Sequence, residues 1–328
     1  MNKVHEKSPC CRGNIRRFGG RRRQCGVCGH TWSVWKKKRG RNCLRMKITP
    51  AENYLSHRVP ALGKQHVRGL TEAQLRYRLS KSRRRILVKR RWPKIPSGPL
   101  IMVADGMVRR ITRQWYTWYF MVVRLPHTNR AVILPPYYAK GTETVREWRR
   151  AFDSLPRQVL TRIVALVCDG HRGLVFEAKW RSWHLQRCHF HLLARIQGRR
   201  SRWPSSRHFE EGKRIYALVT EALKTRDQKR LDEILLILEE IGWTVSSPAL
   251  RLVLSGFVSH IDDYRTYLRY PKLNLPITNN TVESLVGLVT ELTSRARGFR
   301  TAKSLHEWIC ALIKMRRTIT CNGKNQQK

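Results

Sequence analysis

Apolar positions follow two regimes along the chain. Between residues 100 and 190 they come as short continuous runs bounded by turn residues, and from Leu192 onward they recur at helical spacing. The runs at residues 100–105, 115–125, 131–134, 163–168 and 185–190 read as strands. Pro126-His-Thr-Asn129 is a turn signal between the second and third, and helices are expected over residues 143–155 and 173–183. The resulting β-β-β-α-β-α-β order predicts an α/β fold with a mixed five-stranded sheet. From Leu192 to Tyr270 the pattern is helical, most clearly where Leu231, Ile234, Leu235 and Leu238 share a face, which reads as an inserted helical subdomain. Thr278-Asn279-Asn280 offers capping side chains ahead of a helix over residues 282–293, and a last amphipathic helix is expected over residues 302–317.

The first hundred residues differ in kind. Residues 5–35 are rich in Cys, Gly and Arg, and residues 71–90 read as an Arg-studded helix opened by a capping box of Thr71 and Gln74. Pro93, Pro96 and Pro99 then break the chain and mark a boundary. The organisation expected is a cysteine-rich, phosphate-binding segment (1–40), a basic helical region (41–98), the first part of the sheet domain (99–191), the helical insertion (192–275) and closing helices (276–328).

Charge narrows the partner. Sixty-seven Lys and Arg stand against 22 Asp and Glu, a formal net charge of +45, and residues 1–100 hold 28 of those cations against Glu6, Glu52 and Glu72. A polyanion is the expected partner. The longest nearly apolar run, residues 115–123, falls far short of the roughly 18 residues that a membrane span needs, so no membrane partner is expected. The N-terminus has no apolar core of a secretory signal, which points to an intracellular, cytoplasmic setting. Nine cysteines in such a setting suggest metal binding and buried thiols.

In a chain this poor in acids the position of each one is informative. Asp105 is the first Asp, and both it and Asp169 close apolar strand-like runs and precede Gly. Carboxylates converging from separate elements are what divalent ions at phosphodiesters require, and Glu283, early on its helix, is a third candidate. Asp-Gly is also a common turn dipeptide that ends strands without chemistry. Gly287, one turn beyond Glu283, costs about 1 kcal/mol of helix propensity and suggests room for a ligand.

Asp169-Gly-His-Arg-Gly-Leu174, Gln186-Arg-Cys-His-Phe-His191 and Thr278-Asn-Asn-Thr-Val-Glu283 together resemble the Mutator-like insertion-sequence transposases of bacteria, in order and in separation. The resemblance spans about residues 100–317. It implies an RNase H-like catalytic domain whose DDE triad falls on Asp105, Asp169 and Glu283 and binds two Mg²⁺ ions, with strand cleavage and transfer at the ends of an insertion sequence. It also implies a homodimer on DNA, a bacterial nucleoid-associated location, and a basic stretch after the Glu, here Arg295, Arg297 and Arg300, holding phosphates. Cys188 and His191 are the family's C-x2-H pair near the site. Two ligands alone do not complete a four-coordinate zinc site, so packing beside the sheet is the plainer reading of that pair.

Cys25-Gly-Val-Cys28 has the C-x2-C form of a zinc-ribbon knuckle. The ribbons of related transposases open with C-P-x-C, where this chain has Ser8-Pro-Cys-Cys11. Either Cys10 and Cys11, with His5 nearby, complete a Zn²⁺ set with Cys25 and Cys28, or these are free thiols in a basic arm. Two other functions stay open on sequence: a decayed or domesticated copy acting as a non-catalytic nucleic-acid-binding protein, and an RNA-processing factor, which charge alone allows.

Overall fold

The structure, a computed structural model, describes residues 8, 10–18, 22–33, 55, 71–199, 207–295 and 299–321. The chain divides into two compact units, Met1–Glu52 and Asn53–Lys328.

In the first unit β1 (Ile15–Phe18), β2 (Arg22–Cys25) and β3 (Thr31–Ser33) form an antiparallel sheet in the order β1-β2-β3. Cys25 ends β2, and Gly29 follows the turn at φ +70°, a conformation that a side chain would strain.

The second unit opens with α1 (Glu72–Lys89), capped by Thr71 and Gln74 in the reciprocal box expected from sequence: Gln74 N–H donates to Thr71 Oγ1 and Thr71 N–H to Gln74 Oε1. Its strands and helices then run β4 (Leu100–Ile111), β5 (Gln114–Arg124), β6 (Arg130–Ile133), β7 (Tyr137–Lys140), α2 (Val145–Asp153), α3 (Arg157–Leu160), β8 (Ile163–Cys168), α4 (Arg172–Trp180), β9 (His184–Arg187), α5 (His189–Arg199), α6 (Arg207–Lys224), α7 (Gln228–Thr244), α8 (Pro248–Val258), α9 (Ile261–Arg269), α10 (Asn280–Arg295), α11 (Ala302–Arg316) and β10 (Thr318–Thr320).

The sheet order is β10-β6-β5-β4-β8-β9, with β7 paired to β5 beside β6. β4, β5 and β6 are antiparallel, whereas β4, β8 and β9 are parallel. All five expected strands are present in one mixed sheet, but among the described residues the sheet has seven strands. The two additional ones were hidden for physical reasons: Pro135-Pro136 interrupts the apolar pattern ahead of β7, and β10 is a three-residue edge strand of Thr-Ile-Thr.

Both faces of the central strands are covered, which is why they read as continuous apolar runs rather than alternating ones. Leu100, Met102 and Ala104 join Trp148, Phe152 and Leu174 of α2 and α4 in one core. Ile101 and Val103 take the opposite parity, and α10 lies against β4 and β5. The helical insertion builds a core of its own, in which Leu192 and Ile196 of α5 pack with Ile215, Val219, Leu231, Ile234, Leu238, Leu254 and Phe257. α1 docks on α11 through an Arg83–Glu307 ion pair at 2.6 Å and a Lys314 Nζ donation to the Leu87 carbonyl at 2.6 Å. Among the described residues no helix is long and apolar enough to cross a membrane.

Candidate functional site

The parallel pair β4/β8 positions the first two acids. Val103 lies opposite Val167, and each chain continues two residues to an Asp, so Asp105 and Asp169 reach the same level of the sheet. Asp105 does not end its strand as expected. β4 runs on to Ile111 and turns into β5 through Thr112 and Arg113, both at positive φ, so the acid sits in mid-strand where β8 stops. Its Oδ1 accepts the Gly106 N–H at 2.9 Å. Asp169 stands at the end of β8, where Gly170 takes φ +91° and lets the chain swing into α4.

The rest of the Asp169-to-Leu174 stretch follows from packing. Asp169 Oδ1 accepts the His171 N–H at 2.8 Å, and His171 Nδ1 accepts the Gly173 N–H at 3.1 Å, capping α4. A Cβ on Gly173 would lie 2.6 Å from Trp148 Cδ1 and 3.1 Å from Val145 Cα, so glycine is what lets α4 close on α2. Leu174 is wholly buried in the core beneath.

Glu283 enters from α10. Among the contacts that hold that helix, Arg109 of β4 donates to Thr290 Oγ1 at 2.8 Å, and Cys188 Sγ accepts the Asn279 N–H at 3.4 Å. Cys188 is therefore a buried anchor for the helix carrying Glu283, and burial pushes its thiol up to about 11, which keeps it neutral. The expected side-chain capping by Asn279 is not what forms. Its carbonyl accepts the Val282 and Glu283 N–H groups, while its fully buried amide has no hydrogen-bond partner among the described residues. Among the described residues nothing lies within 4 Å of where a Cβ on Gly287 would stand.

The motif between them ties the insertion to this site. Gln186, fully buried, donates to the Tyr264 carbonyl at 2.8 Å and accepts the Tyr267 N–H at 2.8 Å, gripping α9. His189 donates from Nε2 to the same Tyr264 carbonyl at 2.7 Å, and burial lowers its ring to about 4, so it is neutral. Asp263 of α9 pairs with Arg187 at 3.1 Å.

The acids feel one another. Asp105 is pushed up to about 7, first by burial and then by the charges of Asp169, Glu143 and Glu283. Glu283 is raised by burial and by Asp169, while the His191 ring beside it lowers it. His191 Nδ1 lies 3.4 Å from Glu283 Oε1, and among the described residues neither atom has a hydrogen bond. With Cys188 they form a set whose ligand atoms lie within 4.8 Å of one another, so the C-x2-H pair that looked incomplete in sequence gains a third member in Glu283.

Glu143 is the residue that sequence reasoning passed over. Its carboxylate packs on Gly106, where a Cβ would come within 2.7 Å of Oε2, and it accepts the Trp148 Nε1–H at 2.6 Å. It lies 3.4 Å from His171 Nδ1, and burial raises its pKa. The available signal was an acid immediately before the Thr144 N-cap of a helix, in a chain with 22 acids.

The remaining candidates divide. Arg300 is exposed, and its carbonyl accepts from Thr112 Oγ1 at 2.9 Å; the side chain of Arg295 and the whole of Arg297 lie outside the described residues. In the first unit the Sγ atoms of Cys10, Cys11, Cys25 and Cys28 all lie within 4.8 Å of one another. His5 lies outside the described residues. The Ser8 hydroxyl sits 3.1 Å from Cys25 Sγ. That contact and the N–H groups of Cys28 and Val27 lower the Cys25 thiol to about 6, while hydrogen bonding to Cys28 helps push Cys11 up to about 12.

No curated protein matches the chain. Among solved structures, the NurA nuclease from Sulfolobus solfataricus is 10% identical, with 70% of this chain and 58% of that one covered and a TM-score of 0.17. NurA with manganese is 12% identical, with 71% and 59% covered and a TM-score of 0.13. The chain thus spans less than two thirds of the length of either, and similarity this low says nothing of function. The sequence matches the Mutator family of transposases over residues 129–315, a span that holds Asp169, Cys188, His191 and Glu283 and begins after Asp105. The match covers more than half of the chain, and the protein belongs to the Mutator family of transposases.

Proposed function

We propose that the chain is a DNA transposase that cleaves and rejoins strands at the ends of an insertion sequence by a DDE mechanism, with Asp105, Asp169 and Glu283 holding two Mg²⁺ ions. The observation that carries this reading is that Asp105, in mid-strand, has its proton affinity raised by burial and by the charges of Asp169 at a strand end and of Glu283 on a helix. Carboxylate oxygens are hard donors that suit divalent cations, and among the described residues Glu283 Oε1 has no hydrogen bond to give up, so the residues fit the group. Ions held by these carboxylates would supply activation of a water or a DNA 3′-hydroxyl and charge stabilisation of the leaving oxygen at phosphorus.

The chain's own residues do the positioning. β4 and β8 fix Asp105 and Asp169 on paired strands, and the Arg109 and Cys188 contacts set the helix that presents Glu283. Arg300, with Arg295 and Arg297 by sequence, supplies phosphate contacts that orient the strand without reading its bases. Three antiparallel strands followed by two parallel ones, with helices between, support an RNase H-like core with a helical insertion. In the first unit four thiols, one of them acidified, suit tetrahedral Zn²⁺ in a zinc-ribbon-like segment that binds DNA. Joining two ends brings two copies together, so a homodimer on DNA belongs to this reading.

The test uses the DNA flanking this reading frame. Inverted repeats on both sides, nicked at their outer ends by the purified full chain in Mg²⁺ and left intact in EDTA, are the expected result. Binding of those repeats with no cleavage in Mg²⁺ or Mn²⁺ would favour the non-catalytic nucleic-acid-binding protein.

A further inference from the structure

α4 starts three residues after Asp169, and α2 starts two residues after Glu143, so the shared surface of these two packed helices leads away from the acidic cluster. That surface carries a feature that folding does not require. Phe176 and Trp180 are 44% and 70% exposed, yet their rings stack at 6.4 Å between centroids and 9° between planes. The Arg149 guanidinium of α2 lies 5.3 Å from the Phe176 centroid and 5.4 Å from that of Trp180. Arg149 is itself fixed, because its Nε donates at 2.9 Å to Glu177, a fully buried carboxylate that also binds Arg181. Two large rings in contact with a tethered cation form a preorganised aromatic surface.

We infer that Phe176, Trp180 and Arg149 form a stacking platform for unpaired bases of the DNA strand next to the site of cleavage. The inference rests on the transposase reading and extends it to the form of DNA that the site takes. Charge selects the occupant: Arg172 and Lys179 stand one helical turn from Phe176 on α4, Arg146 one turn from Arg149 on α2, all three exposed, while the acid Glu177 is buried and paired. A second copy of a +45 chain would be repelled by such a face, whereas a polyanion is attracted to it. Aromatic faces engage bases only where these are free of a duplex stack, so the platform favours frayed or single-stranded DNA over duplex.

The experiment compares the full-length wild type with the Phe176→Ala/Trp180→Ala double variant and with Trp180→Phe. Fluorescence anisotropy is read on a labelled duplex and on the same duplex with a short unpaired tail. Wild type is expected to bind the tailed probe more tightly. The double variant should lose about tenfold or more on that probe and change little on plain duplex, with Trp180→Phe retaining most of the preference. Equal losses on both probes, no loss on the tailed probe, or a wild type without preference for the tail would overturn the platform while leaving the transposase reading intact. A fall in molecular mass of the double variant by light scattering, with DNA binding unchanged, would make the patch a protein interface and overturn it too. A wild type that binds neither probe would overturn both readings.

Discussion

Substituting Asp105 by Asn separates the acidic cluster from the rest of the fold. The carboxyl ordinarily titrates at 3.8 and is pushed up to about 7 by burial and by Asp169, Glu143 and Glu283. That displacement corresponds to about 4 kcal/mol at about 1.4 kcal/mol per tenfold change in proton affinity. The sign follows from which state holds the proton more tightly. Because the folded value lies above the unfolded one, this stabilisation is fully present below about pH 3.8 and is lost as pH rises through about 7. The amide of the Asp105→Asn variant cannot ionise and carries no such dependence. In EDTA, urea unfolding of the wild type should therefore lose about 4 kcal/mol relative to Asp105→Asn between about pH 4 and pH 9, leaving the variant the more stable at the alkaline end. Mg²⁺ should stabilise the wild type above neutrality and the variant much less, since a ligand stabilises only through the state that binds it. Parallel pH profiles for the two proteins, or equal responses to Mg²⁺, would refute the idea that Asp105 is buried among like charges.

Other substitutions probe the supports of the site. Gly173→Ala should destabilise by about 1–3 kcal/mol in chemical denaturation, because its Cβ meets Trp148 and the α2 backbone. Gly287→Ala should instead raise stability by about 0.5–1 kcal/mol, with nothing near the new methyl, and a concurrent fall in cleavage would show that substrate uses that space. Protein purified without chelator should carry about one zinc per chain by atomic absorption, and Cys25→Ser should lose it.

What was legible in the sequence was what a continuous apolar run or a capped helix encodes locally. β5, β8, the start of β4 and the Thr71/Gln74 capping box all fall in this class. What was not legible depends on partners distant in sequence. Residues 106–111 look too polar for a strand until β5 pairs with them, which is how Asp105 came to look like a strand terminus. β7 and β10 exist because β5 and β6 offer them edges. Cys188 and His191 looked like half a metal site because Glu283 lies far along the chain, and only α10 brings it to them. Glu143 escaped notice because its meaning comes from Gly106, Trp148 and Asp105, none of which marks it locally.

The central claim is that three carboxylates from β4, the end of β8 and α10 act as one catalytic set, and strand cleavage by the single variants tests it most directly. With a labelled element end in Mg²⁺, Asp105→Asn, Asp169→Asn and Glu283→Gln should each slow cleavage by about a hundredfold or more, as expected when an interaction worth several kcal/mol is lost, while binding the same DNA as tightly as the wild type. Cleavage near the wild-type rate by any one of the three would remove that residue from the set and contradict the account.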